Sequence, residues 1–369
     1  MSSWGTTAAH TCEVAVAGGG PGGATVGRIL AGWGVDVTVI AAHNSEKAGE
    51  VIGPEASAIL DALGLTELFT RSTQTAGRCD GVVTHWPSTG LDREDHGLRG
   101  TYAWTVDRLR LNEALKQLAV ANGCSWLDGN VAAGVTRGAS GYALSVTSGG
   151  QTRIITAKFV VDATGRPGSL ARRFGAHRVI DDRLIAAAVR LDRLGAHRDT
   201  YLRLTATPHG WWYRSDGPTC DTRVTIVADP RHAAGRRGAL GLALRQVVEE
   251  LRPGQNDDTA ASRMHVMDAS SARLDCCAAD GWLAVGDAAT AFDPLCGQGL
   301  AQAFGSGLAA AHAIRECAAG NPDALTAYDH AMQATYRRSR AQLDLRYAYR
   351  AQGEPSPFWR ARARTGLAP

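Results

Sequence analysis

The chain has 369 residues, a formal net charge of +3, 44% hydrophobic and 20% charged residues. This composition excludes an intrinsically disordered protein and allows two domains or one large one. So small a charge gives no general pull toward nucleic acid or acidic membranes. The longest weakly charged stretch, 14–27, is too short for a bilayer and is closed by Arg28. The first residues lack a basic segment followed by an apolar one. The expectation is a cytoplasmic protein with no membrane span and no nucleic-acid partner. Eight cysteines are scattered without a C-x-x-C pair, which predicts neither a disulfide framework nor a metal site.

In chain order, Glu13–Gly18 is a short apolar run ending in glycine, as a buried parallel strand does. Gly18, Gly20 and Gly23 follow at G-x-G-x-x-G spacing, then a helical pattern over 24–32 and a β-branched run over 35–40. Strand, glycine turn, helix and strand within thirty residues predict a βαβ unit that binds a dinucleotide. Helices are expected over 51–70 and 107–122, and a hairpin feeding a buried strand over 141–162. A strand-rich block follows over 184–228, then a short apolar strand at 281–287, an Ala/Gly-rich helix near 298–318 and a helical tail over 321–369. No linker separates these blocks, so the domains are expected to interleave.

The glycines have separate tasks. Gly18 permits the tight turn, Gly20 lets the backbone approach a pyrophosphate, and Gly23 lets helix and strand pack closely. The acidic residue that usually ends the second strand and holds the ribose is absent, because Ala41 stands there. His43, Asn44 and Glu46 are the alternatives nearby. Two later segments point to flavin rather than nicotinamide: Val160 to Arg166, with Asp162, and Trp282 to Ala289, with Gly286 and Asp287. The Asp287 carboxylate suits a ribityl hydroxyl. Asp293 to Gly299 then opens a helix whose N–H groups, with Pro294, Gly297 and Gly299 in the turn, suit the negative charge of reduced flavin near N1.

On these motifs the chain resembles the FAD-dependent monooxygenases of the p-hydroxybenzoate hydroxylase class over about 13–320. Gly49-Glu50 with Pro54, and Gly210-Trp211-Trp212-Tyr213, are most similar to the branch of flavin-dependent tryptophan halogenases and of flavoproteins that hydroxylate tryptophan in a partner protein. The resemblance implies an α/β architecture: a glutathione-reductase-type FAD-binding Rossmann-like domain (10–70, 100–180 and 265–320), interleaved with a β-sheet substrate domain (71–99 and 181–264), plus a C-terminal helical segment (321–369). It implies non-covalent FAD, contacted by Gly18, Gly20, Gly23, Arg108 (or Arg110), Val131, Asp162, Gly286, Asp287, Pro294, Gly297 and Gly299. NADPH or NADH is the implied reductant, used directly or through a flavin reductase.

Two departures count against halogenation. The halogenases of this branch carry a lysine after the Gly-Glu motif, yet no lysine lies between Gly49 and Leu115 here, and Lys47 precedes the motif. Their W-x-W-x-I-P signature is also not reproduced at Trp211 to Asp216. The resemblance then implies hydroxylation of a tryptophan-like or phenolic ring, free or on a peptide or protein, through a flavin C4a-hydroperoxide. Glu50, His209 and Trp211 are the candidate catalytic residues, with Trp211 or Trp212 as an aromatic platform on an alternating strand. A flavin oxidase or reductase that inserts no oxygen, and a flavin-binding maturation partner without turnover, are the alternatives. The tail carries eight Arg and four acidic residues, with Arg337, Arg338, Arg340, Arg346 and Arg350 among tyrosines. It reads as a solvated helix face or as a protein-docking surface.

Overall fold

A computed structural model describes residues 10–42, 50–86, 90–96, 102–138, 141–191, 198–219, 221–232, 239–251, 264–279, 281–351 and 356–363. Its largest sheet carries five parallel strands in the order Trp282–Ala284, Gln151–Asp162, His10–Ala17, Val37–Ala41 and Ser125–Asp128. The Asn130–Gly138 and Gly141–Ser148 hairpin adds antiparallel to the long central strand. Strand His10–Ala17 is buried where it enters the glycine turn, as expected for a parallel strand covered on both faces. The Pro21–Gly32 helix packs between Arg108–Ala121 and Gly299–Ala318. Its approach to the last of these is very close: a Cβ on Gly307 would lie 2.8 Å from the Gly22 carbonyl oxygen.

A second sheet of seven strands runs His265–Asp268, Ile185–Leu191, Thr222–Ala228, Gly210–Asp216, Tyr201–Thr207, Gly81–Trp86 and Gly90–Asp95. Period-2 alternation gives it two faces. One packs Ala187, Val189, Val224, Ile226 and Trp212 against the Ala239–Leu251 helix. The other packs Trp86, Ala206, Trp211 and Val227 against the C-terminal helices Ala324–Ala351 and Pro357–Ala363. The α/β class with a Rossmann-like sheet, a second sheet and a helical C-terminal segment is therefore the architecture of the chain.

Two expected boundaries shift. Strand His265–Asp268 pairs with Ile185–Leu191, so it belongs to the seven-stranded sheet rather than beginning the last FAD segment. Strand Ala76–Cys79 pairs with Ala103–Val106 in a small sheet completed by Glu50–Ile52, outside the substrate block assigned to it. The expected 51–70 helix is divided into Pro54–Ala56, Ser57–Ala62 and Thr66–Thr70, with Gly64 at φ +62° between the last two. No helix among the described residues is long and apolar enough to cross a membrane.

The tail is not a free docking face. Tyr336 and Tyr347 are buried and donate hydrogen bonds to Asp181 and Asp293. Arg340 pairs with Asp344, Arg346 donates to the Leu295 carbonyl, and Arg350 lies over the Trp86 ring. Arg337 and Arg338 of that run are exposed.

Candidate active site

The glycine turn lies where the central strand meets the Pro21–Gly32 helix. Gly18 has φ +118°, and a Cβ there would sit 2.0 Å from the Ala163 carbonyl oxygen, so no other residue fits. A Cβ on Gly23 would lie 1.9 Å from the Gly18 carbonyl oxygen. These two glycines are required by the fold itself. Gly20 differs, because nothing stands within 4 Å of its absent Cβ. The helix begins there with Pro21 in its first turn and no side-chain cap. The positive end of its dipole therefore lies beside the open side of Gly20.

Beyond the turn, Ala41 ends the second strand buried. His43, Asn44, Glu46, Lys47 and Gly49 lie outside the described residues. The sequence reading missed Trp126, whose ring stands so close to Gly19 that a Cβ there would be 2.4 Å from it. An indole thus occupies the end of the second strand, where the acidic residue is absent. Val131, half-buried on the next strand, pairs with Val146.

Asp162 and Asp287 prove unlike. The Asp162 carboxylate is fully buried and accepts four hydrogen bonds, from the Thr164 amide and hydroxyl and from the Leu170 and Ala171 amides. Its acceptor capacity is consumed by the 163–171 turn, so its side chain shapes the site from behind rather than reaching a ligand. Asp287 follows Gly286 (φ +57°) and keeps 38% of its side chain exposed, 3.6 Å from Arg166. Arg166 also donates to the carbonyls of Ser270 and Phe292, tying three segments together behind Asp287.

Asp293 is fully buried, accepts from the Leu295 amide (2.8 Å) and the Tyr347 hydroxyl (2.6 Å), and has its carboxyl pushed up to about 6 by burial. It caps the Pro294–Cys296 turn, which Gly297 closes at φ +69°. The Gly299–Ala318 helix then starts without a side-chain cap, and the Gln298 amide oxygen is occupied by Ser339. No atom stands within 4 Å of a Cβ on Gly297 or Gly299. This second uncapped helix terminus also opens onto free space.

Arg108 and Glu50, read separately in the sequence, are one ion pair with the guanidinium almost wholly buried. Arg108 is thus neutralised by a neighbour and its free charge is smaller than the sequence implied. The Tyr213 phenol, pushed up to about 12 by burial, feels the Glu50 carboxylate and Arg223. Arg223 in turn bridges Asp107 (3.0 Å) and Asp221 (2.7 Å). Trp211 and Tyr213 share a face and stack at 5.6 Å, while Trp212 faces the other side. Trp211 is 1% exposed and packs with Phe292 and Cys296, so it supports the 293–299 turn instead of presenting a surface. His209 is exposed in the Thr207–Gly210 hairpin turn, whose Thr207 carbonyl accepts from Trp359. It lies in the turn outside the Gly210–Asp216 strand that carries Trp211 and Tyr213.

Two uncapped helix termini, an open glycine facing one of them and a half-exposed carboxylate near the other form a donor set that fits FAD: anionic diphosphate, polyhydroxyl chain and electron-poor ring. Among the described residues no His, Cys, Asp and Glu group could hold a metal ion. This site on this fold defines the class of FAD-dependent oxidoreductases. The sequence profile of the tryptophan halogenase family matches residues 91–369, and the chain belongs to that family.

LodB of Marinomonas mediterranea, assigned to the FAD-dependent oxidoreductases, is 25% identical over 210 residues, 55% of this chain and 56% of that protein. The chain therefore spans about half the length of that relative. A menaquinone reductase of Mycobacterium tuberculosis is 26% identical over 332 residues, 82% of this chain and 76% of that one. Among solved structures, the flavin-dependent halogenase CmlS superposes with TM-score 0.82 at 23% identity, covering 95% of this chain and 67% of that one. The peptidyl tryptophan dihydroxylase QhpG superposes with TM-score 0.78 at 22% identity, covering 96% and 79%.

Proposed function

We propose that this protein is an FAD-dependent monooxygenase that hydroxylates a tryptophan-like or phenolic ring, with reduced flavin supplied by NADH or NADPH directly or through a flavin reductase. Bound reduced FAD supplies the activation of dioxygen. The chain's own residues bind and orient it. The Gly20 terminus would hold the diphosphate, Asp287 a ribityl hydroxyl, and the Gly297–Gly299 terminus the negative charge near N1. Glu50, 30% exposed and fixed by Arg108, would accept a hydrogen bond from the ring N–H or O–H. Tyr213 and Trp211 would close the same seam against water.

The observation that carries hydroxylation over halogenation is the placement of lysine. Of the three lysines, Lys116 pairs with Asp128 and Lys158 with Glu13, both partly exposed. Lys47 precedes Glu50, and no lysine stands between Gly49 and Leu115, the stretch in which the resemblance to the halogenases leads one to look for the lysine that handles hypohalous acid. The relation to QhpG supports an aromatic, peptide-borne substrate. Family membership and CmlS favour halogenation as the second reading. Reaction with reduced flavin, oxygen and bromide separates them: the proposal requires an oxygenated product free of halogen.

A further inference from the structure

A cavity of about 490 Å³, lined by none of the residues assigned above to the flavin, opens at the edge of the small three-stranded sheet, with Phe69, Ser72, Arg78, Tyr102, Trp104 and Arg198 in its lining. We propose that it is a second binding site, selective for an aromatic carboxylate. Its size falls within the range of small-molecule sites. Phe69 and Trp104 present rings 5.9 Å apart, and Tyr102 carries the Arg78 guanidinium 4.3 Å above its face. Three aromatic residues in the lining favour a planar guest.

The charges select its sign. Arg198 donates to the Arg78 carbonyl (2.6 Å) and the Thr105 hydroxyl (2.8 Å). Its Nε is buried with no hydrogen-bond partner, and among the described residues no carboxylate lies within ion-pair distance of it. Asp80 feels the Arg198 charge, but it already pairs with Arg78 at 2.6 Å. A partly buried cation without its own counter-charge is costly, and a planar carboxylate matches the guanidinium fork. Gly77 makes the arrangement possible, since a Cβ there would lie 2.7 Å from the Arg198 guanidinium. A free aromatic acid and an aromatic residue at the C-terminus of a peptide share this chemistry. The site depends on no flavin step.

The test is calorimetric titration of the FAD-saturated protein with N-acetyl-L-tryptophan, its neutral amide and the peptide Gly-Gly-Trp. The acid should bind at least tenfold more tightly than the amide. Arg198→Gln should abolish that preference and leave amide binding as it was. Gly-Gly-Trp binding more tightly than the acid assigns the site to a peptide end, and weaker binding assigns it to a free acid. Equal affinity for acid and amide, or an acid preference that survives in folded Arg198→Gln, overturns the proposal. The acid–amide comparison needs only the native protein, so it stands even where Arg198→Gln fails to fold.

Discussion

Replacing Asp293 with Asn should change how stability depends on pH more than it changes stability itself. Asp293 is fully buried, and burial raises its carboxyl from the ordinary 3.8 to about 6. A carboxyl raised in the folded state binds its proton more tightly there than in the unfolded chain, so acid favours the fold. Between about pH 4 and 6 its contribution therefore falls as pH rises. Two units at about 1.4 kcal/mol each give a loss on the order of 3 kcal/mol that is complete by about pH 7. With about 2.1 cal/mol/K of unfolding entropy per residue, this corresponds to roughly 4 °C in Tm. Asparagine is neutral throughout and cannot contribute this slope. Thermal melts of the two proteins from pH 4.5 to 8 should give a Tm difference that moves in favour of Asp293→Asn as pH rises. Parallel Tm curves would refute the assignment of a raised carboxyl to this turn.

Three further outcomes follow from the site. Gly20→Val should lose FAD while keeping the native Tm, because its side chain enters open space, whereas Gly23→Ala should fail to fold, because its Cβ meets the Gly18 carbonyl; equilibrium dialysis and melting separate the two. Asp287→Ala should weaken FAD about tenfold to a hundredfold, the scale of a hydrogen bond to a charged group, with exposed Asp323→Ala as the unchanged control. Asp162→Ala strands four donors in the core and should cost more than about 3 kcal/mol, read as a Tm several degrees lower; an unchanged Tm would contradict a structural role.

The parts of the fold legible in the sequence are those whose cause is local. Apolar runs, glycine spacing and helical periodicity within thirty residues make the βαβ unit visible, because each element bonds within itself or to its neighbour in the chain. What stayed hidden depends on pairs far apart. The sequence shows Asp162 as an acid at a strand end, but not that the Thr164, Leu170 and Ala171 donors wrap back to consume it. Glu50 and Arg108 are separate candidates until the Glu50–Ile52 strand pairs with Ala103–Val106, which leads into the helix that Arg108 begins. Tyr347 and Asp293, 54 residues apart, meet only once the C-terminal helix has docked, which is why the tail's tyrosines and arginines resemble a free face in the sequence. The exposure of Asp287 against the burial of Asp162 is likewise a consequence of packing, not of residue type.

The central claim is that oxygen, not halogen, enters the substrate. Phenol, indole and tryptophan-containing peptides would be incubated with the FAD-loaded protein, NADH, a flavin reductase, chloride, bromide and heavy-isotope dioxygen, and the products weighed by mass spectrometry. The account predicts a product carrying one or more heavy oxygen atoms from the gas and no halogen. A product carrying chlorine or bromine, or one altered only in hydrogen content, would contradict it.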